Sequence, residues 1–243
     1  MSAWASVRKR RRVDDVNRVA LSRQDYLSRW STLHGGYDPA QSRWVSGWLA
    51  TSYAAATPFV RLRIPPDVVT VIGGLLAAVA IWPASRGGHW PIVAAVVIGL
   101  SGLFDGLDGA VAVISDRVTL WGAMLDSVVD RLGEVAMLIA LWVAGAPAWV
   151  CIAAGVASWT LEYARARATA VGMGDTAVIT IGERPTRIAI AAMFLLAAGV
   201  YVGSATTWLA VGAYAWLATA LVGLMQILRV LRHSSTVSHR GGS

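Results

Sequence analysis

The sequence predicts an all-α integral membrane protein with six transmembrane helices and an N-terminal interfacial helix. The first observation is composition, because 56% of the residues are hydrophobic and only 14% are charged, whereas charged residues make up about a quarter of a soluble domain. The second is length, because most of the apolar runs can cross a hydrocarbon core of about 30 Å as helices. The runs lie at residues 68–85, 91–114, 119–145, 147–164, 186–203 and 206–228.

The third observation is the alternation of charge between the connections, which predicts the orientation. Short loops that carry Lys and Arg stay preferentially on the cytoplasmic side of a membrane. Basic residues occur before the first run, near Arg117, between the fourth and fifth runs and after the last one. On the opposite side, the loops at 145–148 and 203–206 carry no charge, and only Arg86 with His89 occurs there. We therefore expect a multi-pass protein of the plasma membrane with both termini in the cytoplasm.

Composition also divides the chain into four segments. The second of them contains Trp44 and Trp48, which are four residues apart and so share one face of an amphipathic helix. The basic run Arg8–Arg12 is interpreted as a topology signal and a contact for anionic lipid rather than for nucleic acid. The predicted segments are a basic cytoplasmic segment (1–40), an interfacial helix (41–64), a six-helix domain (65–233) and a disordered tail (234–243).

Four carboxylates stand in two neighbouring apolar runs, where they are costly. Asp105 and Asp108 are three residues apart, and Asp126 and Asp130 are four apart, so each pair shares a face of its helix. One Asp in the middle of a transmembrane helix costs roughly 2.5–3.5 kcal/mol on an insertion scale. A cation is therefore expected to compensate this group.

The two runs are predicted to form an antiparallel hairpin that turns close to residue 117. Asp108 and Asp126 are each nine residues from this turn, and Asp105 and Asp130 are twelve and thirteen residues away. At a rise of about 1.5 Å per residue, the pairs meet at matching depth on the cytoplasmic side, where water can reach them. Clustered carboxylate oxygens suit magnesium, manganese or calcium.

An alternative for each aspartate is a buried ion pair with arginine. Within the two runs only Arg131 is available, and it can pair with Glu134 one turn further on. Four aspartates at two matched spacings therefore favour a metal or ion site. Gly109 and Gly122 leave room for a ligand against the backbone, but small residues also mediate helix packing in membranes, and the sequence leaves both interpretations open.

The arrangement DxxDGxxA, nine residues and GxxxDxxxD over residues 105–130 resembles the signature of the CDP-alcohol phosphotransferase family, membrane enzymes of phospholipid synthesis. The resemblance extends over about residues 65–232. It includes Pro65–Thr70, which is similar to a Pro-Asn-x-x-Thr motif of the family, with Asp67 in the Asn position. The resemblance implies six transmembrane helices, a homodimer, a nucleotide pocket facing the cytoplasm and two divalent ions, Mg²⁺ or Mn²⁺.

The resemblance also assigns roles to individual residues. It makes Asp130 the general base, which deprotonates an acceptor hydroxyl as it attacks a CDP-linked lipid and CMP leaves. The implied metal ligands are Asp105, Asp108, Asp126 and Asp130. The residues implied to border the nucleotide are Thr70, Asp108, Gly109, Ala112 and Gly122.

One position departs from the family signature. Val113 follows Ala112 where the family usually has Arg. The loss of this cation is compatible with weaker nucleotide binding, a different nucleotide or a catalytically silent paralogue. The intact set of aspartates favours retained catalysis.

The connection between the fourth and fifth runs indicates the acceptor. Arg165–Gly172 and Gly182–Arg187 are similar to the KARAxAxG and ERPxR segments of actinobacterial phosphatidylinositol phosphate synthases, with Arg165 in the Lys position. This favours a phosphorylated acceptor, because guanidinium groups bind phosphate in a two-pronged way. The expected acceptor-binding residues are Arg165, Arg184 and Arg187, although each also fits a simple topology signal.

The predicted function is therefore transfer of a phosphatidyl group from CDP-diacylglycerol to a small phosphorylated alcohol, inositol phosphate or glycerol phosphate, with release of CMP. Membrane lipids and a second copy of the chain are the other expected partners, and nucleic acid is not. An intramembrane cation transporter is the alternative from a different class. The concentration of acids on one hairpin near one face of the membrane disfavours it.

Overall fold

The computed structural model of the protein describes residues 21–33, 36–171 and 180–238. Every regular element in these ranges is helical, which confirms the predicted all-α class. The helices are α1 (Arg23–Leu33), α2 (Arg43–Arg61), α3 (Pro66–Val79), α4 (Ile81–Ala84), α5 (Trp90–Ile114), α6 (Leu120–Ala144), α7 (Ala148–Ala170), α8 (Arg184–Val200) and α9 (Ala205–Ser238), with 3₁₀ turns at Pro39–Gln41 and Val202–Ser204.

Three segments of the described chain are long and apolar enough to cross a membrane, namely Pro66–Ala84, Trp90–Ile114 and Val202–Arg232. The other three predicted spans coincide with α6, α7 and α8. Helices α6 and α7 carry charged side chains, and α8 has only 17 residues. A protein with at least these three apolar helices is a membrane protein by composition, while the number of six spans stays a prediction.

The first predicted span is interrupted rather than continuous. Helix α3 ends at Val79, and the short α4 begins at Ile81. Pro83 has no backbone N–H to donate to the carbonyl of Val79, so the regular hydrogen-bond ladder cannot continue through Ala80. The proline was visible in the sequence, and its effect on the helix was not predicted.

The described chain forms two compact units. The first unit contains the described residues up to Ile72 together with Leu103–Val128, and the second contains Gly73–Gly102 and the described residues from Val129 onward.

The core of the first unit joins the N-terminal helices to the hairpin. Tyr26 of α1 is buried and its ring lies 5.5 Å from that of Tyr53 in α2. Phe59 and Phe104 meet edge to face with their ring centroids 5.8 Å apart. Such aromatic pairs add to the free energy gained by burying their area. The segment predicted to precede the membrane domain thus packs on the hairpin.

Helix α2 forms where the interfacial helix was predicted. Ser42 caps its start by accepting a hydrogen bond from the N–H of Val45 at 3.4 Å. Leu49 on one face is buried, whereas Trp48 is 60% exposed. The helix is thus amphipathic as expected, and its location at the membrane interface stays a prediction. Nothing is described of the side chain of Trp44.

The hairpin turns where the sequence placed it, between Ile114 and Leu120. Helix α5 ends in a Schellman motif, in which the N–H of Arg117 donates to the carbonyl of Ala112 at 2.8 Å. Asp116 takes the left-handed conformation that the motif needs, with φ 55°. An ion pair between Arg29 and Asp116 at 2.5 Å ties α1 to this turn.

The core of the second unit is built mainly from small side chains and one large indole. Trp216 of α9 is fully buried, and its Nε1–H donates to Oγ of Ser158 in α7 at 3.0 Å. Alanine-rich faces allow helices to approach closely, and the buried indole finds the polar partner that it requires.

A buried ion network crosses this second unit. Arg187 is 0% exposed and Glu134 is 1% exposed, and they form an ion pair. The Arg187 guanidinium also donates to the carbonyl of Gly182 and to Glu162, each at 2.7 Å. The guanidinium Nη1 of Arg131 lies 3.0 Å from Oε2 of Glu134, which confirms the predicted ion pair. Charges taken so far from water are stable only because each has an opposite charge or a hydrogen bond.

The C-terminal helix is longer than predicted. Helix α9 continues to Ser238, although the sequence predicted disorder from Ser234 onward. Between Gly223 and Gly241 the sequence contains no glycine or proline, so no helix-breaking residue ends α9 at Ser234. Residues 239–243 and the basic run Arg8–Arg12 lie outside the described residues.

We expect Arg187→Ala to destabilise the protein by about 3–5 kcal/mol, because it leaves the carboxylate of Glu134 buried beside an empty space. The measurement is thermal or denaturant unfolding of the detergent-solubilised protein. Arg86→Ala is the matched control, because that arginine lies over the ring of Trp82, 4.7 Å from its centroid, and such a contact contributes only about 0.5–1 kcal/mol. Equal losses in the two variants would contradict the interpretation of Arg187 as a structural residue.

Candidate active site

A cavity of about 190 Å³ opens in the first unit beside the hairpin turn. Its wall is formed by α3, α5, the turn and the start of α6. All five residues that the resemblance assigned to the nucleotide line it, together with the two positions that depart from the family signature. The lining residues are Pro66, Asp67, Thr70, Asp108, Gly109, Ala112, Val113, Arg117, Val118, Thr119, Gly122, Ala123 and Asp126.

Asp108 is held in the wall of this cavity by hydrogen bonds. The hydroxyl of Thr70 in α3 donates to one carboxylate oxygen at 2.6 Å, and the N–H of Gly109 donates to the other at 2.6 Å. The side chain is 6% exposed. Hydrogen bonds to both oxygens reduce the cost of burying this carboxylate. Thr70 therefore orients Asp108 as well as bordering the cavity.

The two glycines of the signature, Gly109 and Gly122, line the cavity and have no side chains that would fill it. A Cβ atom on Gly109 would meet no atom within 4 Å, so the space beside it is open. A Cβ on Gly122 would lie 3.1 Å from Oγ1 of Thr119 and 3.5 Å from Oδ1 of Asp67. Thr119 caps α6 by accepting the N–H of Gly122 at 2.9 Å. The open space at Gly109 favours ligand approach over helix packing at that position.

Asp105 approaches Asp126 across the hairpin, with oxygens of the two carboxylates within 4.8 Å of each other. Asp130 follows Asp126 by one turn on the same face of α6. Two negative charges at this separation repel in a weakly polar surrounding, and a divalent cation between them would turn repulsion into attraction. An all-carboxylate donor set is the kind that Mg²⁺ and Mn²⁺ prefer.

The two acidic pairs were predicted to meet at matching depth. Asp108 and Asp126 line the same cavity and lie near enough for their charges to interact. The carboxylate of Asp105 also comes close to that of Asp126, while Asp108 accepts a hydrogen bond from Thr70. Counting residues from the turn gave the level of each side chain, but not its rotation about the helix axis.

In the second unit, Asp130 forms an ion pair with Arg184, and their side chains are 16% and 11% exposed. From the sequence, these two residues were predicted to have different roles, Asp130 as the general base and Arg184 as an acceptor-binding residue. Arg184 is the first residue of α8, and Pro185 follows it. Proline at the start of a helix was the signal that could have placed Arg184 and Arg187 on one face of α8.

The other two predicted acceptor-binding arginines are engaged in ion pairs. Arg187 does not fit the predicted role, because it is fully buried and its donors are directed to Gly182, Glu134 and Glu162. Arg165 is 33% exposed and meets the carboxylate of Glu183 with two nitrogens, at 2.7 and 3.3 Å. Arg165 therefore remains accessible while Arg187 does not.

Glu183 precedes α8 and organises this connection. Burial alone would raise its pKa, but the N–H of Thr180, which donates to it at 2.9 Å, and the guanidinium of Arg165 together hold the pKa of Glu183 below its usual value. The carboxylate is therefore charged at neutral pH and keeps Arg165 near the start of α8. Residues 172–179, which include the end of the KARAxAxG-like segment, lie outside the described residues.

Arg117 was not predicted as a site residue, and its charge was interpreted only as a topology signal. The structure places it in the lining of the cavity. No motif indicated this position, because it depends on the left-handed conformation of the non-glycine residue Asp116.

Comparisons with known proteins agree with this geometry. A model of the family described as CDP-alcohol phosphatidyltransferase matches residues 63–224. The chain is 32% identical over 153 residues to archaetidylinositol phosphate synthase of Pyrococcus horikoshii. The match covers 61% of this chain and 80% of that protein. It is 27% identical over 201 residues to phosphatidylinositol phosphate synthase of Cutibacterium acnes, with 77% and 95% covered.

Solved structures show the same fold. The phosphatidylinositol phosphate synthase of Mycobacterium tuberculosis with CDP-DAG bound superimposes with a TM-score of 0.59 at 27% identity, covering 73% of this chain and 92% of that one. The same enzyme in complex with manganese and citrate gives a TM-score of 0.59 at 27% identity, covering 73% and 87%. The chain belongs to the CDP-alcohol phosphatidyltransferase family, the membrane transferases that move substituted phosphate groups in phospholipid biosynthesis.

Proposed function

We propose that the protein transfers a phosphatidyl group from CDP-diacylglycerol to the hydroxyl of a small phosphorylated alcohol, inositol phosphate or glycerol phosphate, and releases CMP. The observation that carries the proposal is the cavity of the first unit, in which Thr70, Gly109 and Gly122 border the same space as Asp108 and Asp126. The related enzymes named for inositol phosphate products support the acceptor class.

The residues around the cavity suit both the nucleoside and the diphosphate of the donor. The open space beside Gly109 accommodates the flat nucleoside part against the backbone of α5. Two Mg²⁺ or Mn²⁺ ions are the proposed cofactors, and when bound they neutralise the diphosphate and assist departure of CMP. The residues that would hold them are Asp105, Asp108, Asp126 and Asp130.

Asp130 is the proposed general base. As the acceptor hydroxyl oxygen forms its bond to the lipid-side phosphorus, its proton passes to the carboxylate of Asp130. The bond from that phosphorus to the bridging oxygen breaks, and CMP leaves with the electron pair. Positioning and charge neutralisation account for most of the rate of such a transfer.

Arg184 is the proposed main contact for the acceptor phosphate. It already meets the carboxylate of Asp130, so an acceptor whose phosphate it bound would bring its hydroxyls toward the base. Arg165, whose side chain is 33% exposed, is a further guanidinium of this connection that could contact the acceptor. Arg187 instead joins α8 to α6 through its ion pair with Glu134, so it is not part of the proposed acceptor site.

The finer topology is part of the same proposal. We place α6, α7 and α8 across the membrane with the three apolar segments, giving six spans with both termini in the cytoplasm of a plasma-membrane protein. The support is that strongly basic loops alternate in the sequence with loops of which two are uncharged and the third carries only Arg86 with His89. A homodimer, and no role in nucleic-acid binding, remain predictions from the sequence.

We expect purified protein with CDP-diacylglycerol and Mg²⁺ or Mn²⁺ to release CMP at least about tenfold faster with inositol phosphate or glycerol phosphate than with inositol, glycerol or serine. The preference should shrink in Arg184→Ala, because the guanidinium that distinguishes a phosphorylated acceptor is gone. The measurement is CMP release across the acceptor panel. Equal rates with unphosphorylated alcohols would contradict the acceptor assignment, and cation flux through reconstituted liposomes without CMP release from any acceptor would favour a transporter.

We expect Asp130→Asn to lower kcat for CMP release by about 10²–10⁴-fold, because an amide of the same shape cannot take the hydroxyl proton. Asp116→Asn makes the same chemical change at an exposed position outside the cavity lining, and asparagine tolerates the left-handed conformation. Its kcat should stay within about twofold of the native value, since an exposed ion pair contributes little. A fully active Asp130→Asn protein would refute the assignment of the base.

A further inference from the structure

The lining of the cavity in the first unit contains several carboxylates and one arginine, Arg117, to which no role has yet been assigned. Three carboxylates line it, those of Asp67, Asp108 and Asp126, and among the described lining residues Arg117 is the one basic side chain. A ligand with a diphosphate group gains from a fixed cation, and guanidinium is the side chain whose geometry fits phosphate oxygens best.

The backbone fixes Arg117 at this position. Its N–H donates to the carbonyl of Ala112 at 2.8 Å, and the N–H of Asp116 donates to the carbonyl of Val113 at 3.2 Å. These two hydrogen bonds close the Schellman motif at the end of α5. The chain therefore folds back over the last turn of the helix and brings residue 117 to the wall that Ala112 and Val113 also line.

The neighbouring carboxylate is already occupied by another cation. Asp116 pairs with Arg29 at 2.5 Å. Within the described residues, the Arg117 guanidinium itself makes no hydrogen bond or ion pair, and the residue is exposed. A guanidinium at the edge of a cavity and not engaged by a nearby carboxylate is available to a ligand anion.

The position of Arg117 is informative because the chain departs from the family signature at the nearby Val113. Val113 is 7% exposed and lines the cavity in the last turn of α5, four residues before Arg117. The family signature has an arginine at the place of Val113, so this chain lacks a cation there and presents one from the turn instead. The two positions border the same space, which allows one to replace the other.

We propose that Arg117 binds the diphosphate of the CDP-linked donor, supplying from the hairpin turn the positive charge that Val113 does not provide. The proposal rests on the proposed function, because it takes the donor to be a CDP-linked lipid. The proposal explains why the chain keeps all four aspartates of the signature although Val113 replaces its arginine. It does not require the protein to be catalytically inactive.

The test measures CDP binding directly, apart from turnover. Calorimetric titration of the detergent-solubilised full-length protein with CDP in the presence of Mn²⁺ should show affinity about tenfold weaker in Arg117→Ala and a smaller loss in Arg117→Lys, which keeps the charge but not the two-pronged geometry. Alanine keeps the backbone N–H that closes the Schellman motif, so both variants should retain the native unfolding midpoint. Arg43→Ala is the matched control, because it removes one exposed arginine that does not line the cavity.

Turnover separates failure of this proposal from failure of the proposed function. If native protein releases CMP, the KM for CDP-diacylglycerol should rise about tenfold in Arg117→Ala with kcat changed little, and not in Arg43→Ala. Affinity and KM within twofold of native in Arg117→Ala would overturn the role of Arg117 and leave the proposed function standing. If native protein binds CDP without releasing CMP from any acceptor, the proposed reaction fails and the titration still decides the role of Arg117. A native protein that does not bind CDP at all would overturn both.

Discussion

Carboxylates inside apolar helices must be compensated, and this requirement governs the arrangement of the whole molecule. An uncompensated Asp at mid-helix costs roughly 2.5–3.5 kcal/mol, which is a large share of the stability of an ordinary domain. The chain meets the cost in different ways at neighbouring positions. Asp108 accepts hydrogen bonds from Thr70 and a backbone amide, Asp130 pairs with Arg184, and Glu134 is paired with Arg187 in full burial.

These differences distinguish charged residues that stabilise the fold from charged residues that could take part in a reaction. Glu134 and Arg187 are almost completely inaccessible and satisfy each other, so they act on stability. Asp105 and Asp126 bring two like charges within 4.8 Å of each other, an arrangement that a divalent cation stabilises and that packing alone does not require. The chain belongs to a family that transfers phosphatidyl groups, and the proposed metal site is consistent with that chemistry.

The sequence predicted those features that depend on periodicity and local signals. The all-α class, the hairpin turn between Ile114 and Leu120 and the pair of Arg131 with Glu134 were all confirmed, because apolar runs, a polar break and a three-residue spacing are local. Partners far apart in the chain were not predicted. Arg187 meets a glutamate 53 residues away, and this depends on how each helix is rotated about its axis. Arg117 reaches the cavity through a left-handed residue that is not glycine, which no composition rule identifies.

We propose that opposed carboxylates of the hairpin hold a divalent cation. The most direct measurement is an EPR titration of the purified protein with Mn²⁺, comparing native protein with Asp126→Asn and with Asp116→Asn. We expect native protein and Asp116→Asn to remove the free-ion signal with the same affinity, and Asp126→Asn to bind at least about tenfold more weakly. Undiminished Mn²⁺ binding by Asp126→Asn, or none by the native protein, would contradict the claim.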